Sequence, residues 1–190
     1  MTQVTFQSTE LLVIAIVVVL VMMAMVIYLV RHSIRNSWLN FKTSYRLNRL
    51  GLKQMSNIQW QDGLGHYFTI DRLILHPHGI SLLIYKRFPG KIFCADNIDD
   101  WTQMLGKRSY QFKNPFSDLD FQVKTVSACI PGVPVNGYLF FDHLAEFPKG
   151  HPEWVIHHKK LPPELQRGDR SQAGTSVISA WKKLMEMVKE

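Results

Sequence analysis

Residues 11–30, LLVIAIVVVLVMMAMVIYLV, run for twenty positions without a charge, a proline or a glycine. At 1.5 Å rise per residue a helix of that length covers about 30 Å, the thickness of a bilayer's hydrocarbon core. A secretory signal peptide has a basic start, a shorter apolar run and a small-residue cleavage site. No Lys or Arg precedes this segment, and Tyr28-Leu29-Val30-Arg31 follows where small residues would be needed. The segment reads as an uncleaved transmembrane helix.

Charge sets the expected orientation. Residues 1–10 carry one charged side chain, Glu10, whereas Arg31, Arg35, Lys42, Arg46, Arg49 and Lys53 follow the span before the first acid, Asp62. The positive-inside rule then leaves residues 1–10 as a short extracytoplasmic N-terminus and puts everything after residue 30 in the cytoplasm, a bacterial inner membrane being the expected setting. The two cysteines, Cys94 and Cys129, have no metal-ligand spacing. Free thiols suit the same reducing compartment. With 22 Lys+Arg against 15 Asp+Glu the chain carries a formal charge of +7, which favours anionic partners: membrane lipid, DNA or RNA.

Residues 31–55 read as a basic amphipathic juxtamembrane helix. Ile34, Trp38, Phe41 and Tyr45 recur at helical spacing, a stripe suited to packing on the domain behind it. The basic residues flank that stripe, and Arg35, Lys42, Arg46 and Arg49 are its candidate contacts to nucleic acid or lipid.

A strand-rich block follows. Ile58-Gln59-Trp60 is a candidate strand, with a turn at Asp62–Gly65. His66–Leu75 alternates so that Tyr67, Thr69, Asp71, Leu73 and Leu75 share a face. His76-Pro77-His78-Gly79 reads as a solvated turn, and Ile80–Lys86 as a buried strand. Phe88-Pro89-Gly90 turns the chain so that Lys91–Ala95 can pair back. Asn114-Pro115 opens a helix through Ile130 with Phe116, Leu119, Val123 and Val126 on one face. Val135–Phe141 and Val155–His157 are further strands, and His157–Lys160 an exposed basic patch. Thr175 opens a last helix bearing Val177, Trp181, Leu184 and Val188. Helix, strands, helix, strand, helix is an α/β arrangement in one domain.

An aspartate on one strand and a lysine on the next are the outline of a metal-dependent phosphodiesterase site. Such a site must hold Mg²⁺ with oxygen ligands, activate water and offset the charge on phosphate. The period of two puts Ile80, Leu82, Ile84 and Lys86 on one strand face, so a second carboxylate would belong at position 84. Isoleucine stands there.

The ordered series I-D-R-L-I-L at 70–75, H-G-I at 78–80, Y-K at 85–86 and P-G-K-I at 89–92 resembles the nuclease-related domain (NERD) family. The resemblance continues through Trp101, N-P-F at 114–116, Gln122 and P-G-V-P-V-N-G at 131–137. It covers roughly residues 40–150 and leaves 151–190 as a C-terminal extension with an amphipathic helix. It implies a restriction-endonuclease-like fold of the PD-(D/E)xK kind, a central mixed sheet flanked by helices behind the membrane span. It also implies a catalytic set of Asp71, Lys86 and Gln122. The family pattern has an acid where Ile84 stands and a glutamate on an early helix, yet no acid occurs between Arg31 and Gln61. A remnant site follows: no metal or cofactor is expected, with Asp71 the ligand and Mg²⁺ the ion if the site is active. Asp96, Asp99, Asp100 and Asp142 are candidates to replace a missing carboxylate. The leading expectation is a membrane-anchored, nucleic-acid-associated module with little or no catalysis. Its alternatives are an active nuclease using a non-standard carboxylate and a protein-interaction scaffold.

Overall fold

A computed structural model describes residues 2–61, 63, 65–158, 160–166 and 172–189. The expected turn at Asp62–Gly65 lies partly outside these residues, as does Lys159 of the expected basic patch. The chain divides into two compact units, residues 1–42 and 43–190.

The first unit is helical. It consists of α1 (Thr2–Leu47) up to residue 42, and α1 runs unbroken through the apolar segment. By length and composition it is, among the described residues, the one helix able to cross a membrane. Every side chain from Leu11 to Val30 is exposed, as such a span requires. Within this unit Ile34, Trp38 and Phe41 are exposed as well.

The second unit opens with the end of α1. The juxtamembrane helix expected over 31–55 stops at Leu47, and β1 (Lys53–Gln61) has begun before residue 55. Gly51 sits at φ 59°, and a Cβ there would meet the Leu75 carbonyl oxygen at 2.4 Å. One residue on, Leu52 N–H donates to that same carbonyl at 2.7 Å, so the backbone's hydrogen bonds pass from helix to sheet. Arg72 closes the helix end. Its guanidinium donates to Leu47 O at 3.4 Å, to Gln54 Oε1 at 3.0 Å and to Asn48 Oδ1 at 3.0 Å.

Two mixed sheets follow. The first has the order β1–β2–β3–β7–β9, with β2 Tyr67–His76, β3 Gly79–Lys86, β7 Val135–Phe141 and β9 Val155–His157. The pairs β1–β2 and β2–β3 are antiparallel; β3–β7 and β7–β9 are parallel. The second has the order β6–β5–β4–β8, with β4 Gly90–Phe93, β5 Asp100–Leu105, β6 Arg108–Lys113 and β8 Ala145–Glu146. The segment Lys91–Ala95 therefore does not pair back on β3. Pro89 has no N–H to give a ladder, and Gly90, at φ 89°, redirects the chain against Met104 of β5.

Helices α2 (Phe116–Cys129) and α3 (Thr175–Lys189) cover one face of the first sheet, where Leu73, Leu82, Val126, Trp181 and Leu184 share a core. The opposite face holds Leu47, Leu50, Ile74, Leu83, Phe140 and Leu165. The fold is thus mixed α/β as expected, with two sheets where one central sheet was anticipated.

The expected face Tyr67–Thr69–Asp71–Leu73–Leu75 is broken. Tyr67 and Thr69 are exposed, whereas Phe68, Ile70, Leu73 and Leu75 pack in the same core. The inward parity changes between residues 70 and 73. Opposite this point, on β1, Asn57 adopts φ 53°, a left-handed conformation that asparagine tolerates better than most residues. Asp71 stands at the crossover.

Candidate functional site

Asp71 is half-buried, and its Oδ2 accepts the backbone N–H of Tyr85 at 2.7 Å. The β2–β3 ladder pairs residues only as far as Arg72 with Leu83. Beyond that pair, the carboxylate takes over the role of a ladder carbonyl. Gln122, on α2, is buried and reaches the same strand: its Nε2 donates to Thr69 O at 3.5 Å, and its Oε1 has no hydrogen-bond partner.

Ile84 is 7% exposed and packs with Leu119, Leu139 and Phe141. Lys86, two residues on, lines a cavity of about 670 Å³ together with Asp96, Asp99 and Asp118. Asp71 and Ile84 are not among that cavity's lining residues. The salt bridge that an Asp–Lys pair on adjacent strands suggests does not form. Ion pairs instead join Lys113 to Asp100 at 2.9 Å, Lys124 to Asp120 at 2.6 Å and Arg87 to Asp142 at 3.5 Å. The structure thus brings Asp71 and Gln122 to one strand, while Lys86 lines a cavity that Asp96, Asp99 and Asp118 also line.

The cavity is built by the N-P-F motif. Asn114 Oδ1 accepts the Phe116 N–H at 3.0 Å, and its Nδ2 donates to Ile98 O at 3.1 Å, which pins the 96–99 loop to the start of α2. Trp101 is fully buried and donates through Nε1 to Ala95 O at 3.1 Å. It stacks on Trp154, whose own Nε1 donates to Asp96 Oδ1 at 2.7 Å. Asp118 was absent from the sequence reading. Its signal was its place in the first turn after N-P, where a carboxylate suits the helix dipole.

Asp142 is fully buried on the other side of β3. Its carboxylate accepts from Leu144 N–H at 2.9 Å and from Tyr85 Oη at 3.3 Å, besides its pair with Arg87. Burial, then the charge of Asp142, raises the Tyr85 phenol above its ordinary range. Because Tyr85 alternates with Ile84 and Lys86, Asp142 faces away from the lysine. Of the replacement candidates, Asp96 and Asp99 reach the Lys86 cavity, Asp100 is held by Lys113, and Asp142 faces the opposite side.

The histidine turn also differs from expectation. His78 is exposed, but His76 is 1% exposed and neither of its ring nitrogens has a hydrogen-bond partner. Burial is the main force lowering its pKa. Among the described residues, no three His, Cys, Asp or Glu side chains form a metal-holding group. Cys94 is partly buried, which pushes its thiol up to about 12, with Asp96 contributing.

Arg35, Lys42, Arg46 and Arg49 are all exposed. In the first unit Lys42 Nζ lies 5.0 Å from the Trp38 ring centroid. In the second, Arg49 lies 4.2 Å over the Tyr45 ring, and Arg46 Nη1 donates to His158 O at 2.9 Å.

A mixed α/β domain that sets an aspartate and a lysine on adjoining strands, beside a helical glutamine, has the framework of a nuclease-like domain. A profile for the nuclease-related domain matches residues 36–142, more than half of the chain. The chain belongs to the nuclease-related domain family. No curated protein and no solved structure matches it significantly.

Proposed function

We propose that this chain is a single-pass membrane protein whose nuclease-related domain faces the cytoplasm, has a decayed metal site and associates with nucleic acid with little or no catalysis. In this reading residues 1–10 lie outside a bacterial inner membrane and α1 is the anchor. The observation that carries it is the engagement of Asp71. Mg²⁺ takes about six oxygen ligands in near-octahedral geometry. Asp71 already gives Oδ2 to the Tyr85 amide, and Ile84 offers no oxygen. The residues around Asp71 do not fit a magnesium ion. The +7 charge and the exposed Arg35, Lys42, Arg46 and Arg49 support an anionic partner.

The test uses the full chain in detergent micelles with labelled DNA and RNA duplexes and single strands. Binding that weakens steeply with salt, without Mg²⁺-dependent cleavage, is the expected result. Robust cleavage abolished by Asp71→Ala refutes the decayed site. Absence of binding at low salt removes nucleic acid as the partner and leaves a membrane-bound scaffold.

One observation favours a second reading. Lys86 shares its cavity with Asp96, Asp99 and Asp118, so an active nuclease would use these carboxylates rather than the missing one. Cleavage lost on Asp99→Asn but retained on Asp71→Asn would support that enzyme.

A further inference from the structure

A second cavity, of about 330 Å³, lies in the 43–190 unit and is separate from both Asp71 and Lys86. Arg46, Arg49, Tyr45, His158 and Gln166 form its polar wall. Leu50, Leu161 and Leu165 form its apolar wall, with Leu50 and Leu165 almost fully buried. Among the described residues, no carboxylate lines it. Glu164, in the adjoining 3-10 turn Pro163–Leu165, accepts a hydrogen bond from Tyr138.

Both guanidiniums are held in place before any ligand arrives. Arg46 is tethered through Nη1 to the His158 carbonyl, which leaves its other N–H groups for a further acceptor. Arg49 lies over the Tyr45 ring, 4.2 Å from its centroid, a contact that restrains its fork. A free arginine must be ordered when it binds, and a pre-set one loses less entropy per hydrogen bond. Two restrained forks, no acid among the described lining residues and a leucine wall match one chemistry: a phosphate ester whose phosphate meets the arginines while its apolar part lies on the leucines.

We propose that this cavity is a binding site for phosphate esters bearing an apolar group. The ester comes from a phospholipid headgroup or from a soluble metabolite. The site does not depend on the decayed-nuclease reading, because it shares no residue with Asp71, Ile84 or Lys86.

The test uses the full chain in nanodiscs of zwitterionic lipid, titrated calorimetrically with phenyl phosphate and, as controls, with phenol and inorganic phosphate. Saturable binding of phenyl phosphate, tighter than either control, is expected. Affinity should fall at least tenfold in the Arg46→Gln/Arg49→Gln double variant and stay unchanged in Lys107→Gln. Arg49→Gln alone keeps the Arg46 tether and should lose at least threefold, which preserves the test if the double variant misfolds. Native mass spectrometry with phosphatidic acid against phosphatidylcholine separates the sources. A phosphatidic acid adduct lost in the double variant supports the lipid, and its absence alongside phenyl phosphate binding supports a soluble ester. No saturable binding, equal binding of phenol, or affinity unchanged in the variants overturns the site. Loss of DNA or RNA binding in the double variant without phenyl phosphate binding also overturns it, and assigns the arginines to a nucleic-acid backbone.

Discussion

The Asp71 carboxylate accepts the backbone N–H of Tyr85 at 2.7 Å, one step beyond the last ladder pair between β2 and β3. A hydrogen bond to an ionised acceptor is stronger than a neutral one, and losing it leaves the Tyr85 amide without that partner. Asp71→Ala should therefore lower stability by about 1–3 kcal/mol, and Asp71→Asn, which keeps an acceptor oxygen, by less. Urea unfolding of the full chain in micelles measures both. Equal stability of wild type and Asp71→Ala would show that the carboxylate is not retained for the strand.

Gly137 in β7 lies beneath α2. A Cβ there would come within 2.5 Å of Val123 Cγ2 and 2.9 Å of Leu119 Cδ1. Gly137→Ala must push α2 off the sheet, an overpacking cost of about 1–3 kcal/mol. The same displacement would separate Gln122 from Thr69. A thermal melt no lower than wild type would contradict this close approach.

His76 gives the fold an acid-side weakness. Burial lowers its pKa below the ordinary value, Glu164 opposes that shift and His78 adds to it. The unfolded chain therefore binds this proton more readily than the folded one, so stability rises with pH through the window below about pH 6.5. The melting temperature should fall between pH 6.5 and pH 5, and His76→Phe should flatten the fall. A variant with an undiminished slope would place the effect on other groups.

The anchor is tested by cysteine labelling in a Cys94→Ser/Cys129→Ser background. With intact cells, a membrane-impermeant thiol reagent should modify Gln3→Cys and spare Gln172→Cys. The reverse pattern inverts the topology that the six basic residues between Arg31 and Lys53 imply.

Legibility in the sequence followed local determinacy. Helix α2 was readable because Asn114-Pro115 marks its start and Leu119, Val123 and Val126 mark its inner face. β3 and β7 were readable as apolar runs. The β5–β6 hairpin was not, because R-S-Y-Q-F-K is almost wholly exposed and shows no buried alternation. The burial of His76 and the face change at Asp71 depend on what packs from distant segments. So does the Lys86 cavity, whose carboxylates come from a loop and a helix start. The sequence pattern named Asp71, Lys86 and Gln122, but which carboxylates share the lysine's cavity depends on tertiary packing.

Ile84→Glu tests the missing ligand directly. Residue 84 lies between Leu83, which pairs with Arg72, and Tyr85, whose N–H the Asp71 carboxylate accepts. A glutamate there would put two carboxylates on adjoining strands, one of them in the core formed by Leu119, Leu139 and Phe141. Without a cation the like charges and the desolvated acid should cost several kcal/mol, roughly 3 or more. Mg²⁺ bound between them would relieve the repulsion and stabilise the folded variant by about 1.4 kcal/mol at ten times its Kd. The expected pattern is a variant that melts well below wild type in chelator and regains part of the loss in Mg²⁺. Wild type should show no Mg²⁺ dependence. If the variant folds but neither protein responds to Mg²⁺, the absent carboxylate at position 84 is not what keeps metal from this sheet. Stabilisation of wild type by Mg²⁺ would show that the chain binds the ion without a carboxylate at position 84, and would overturn the decayed-site reading.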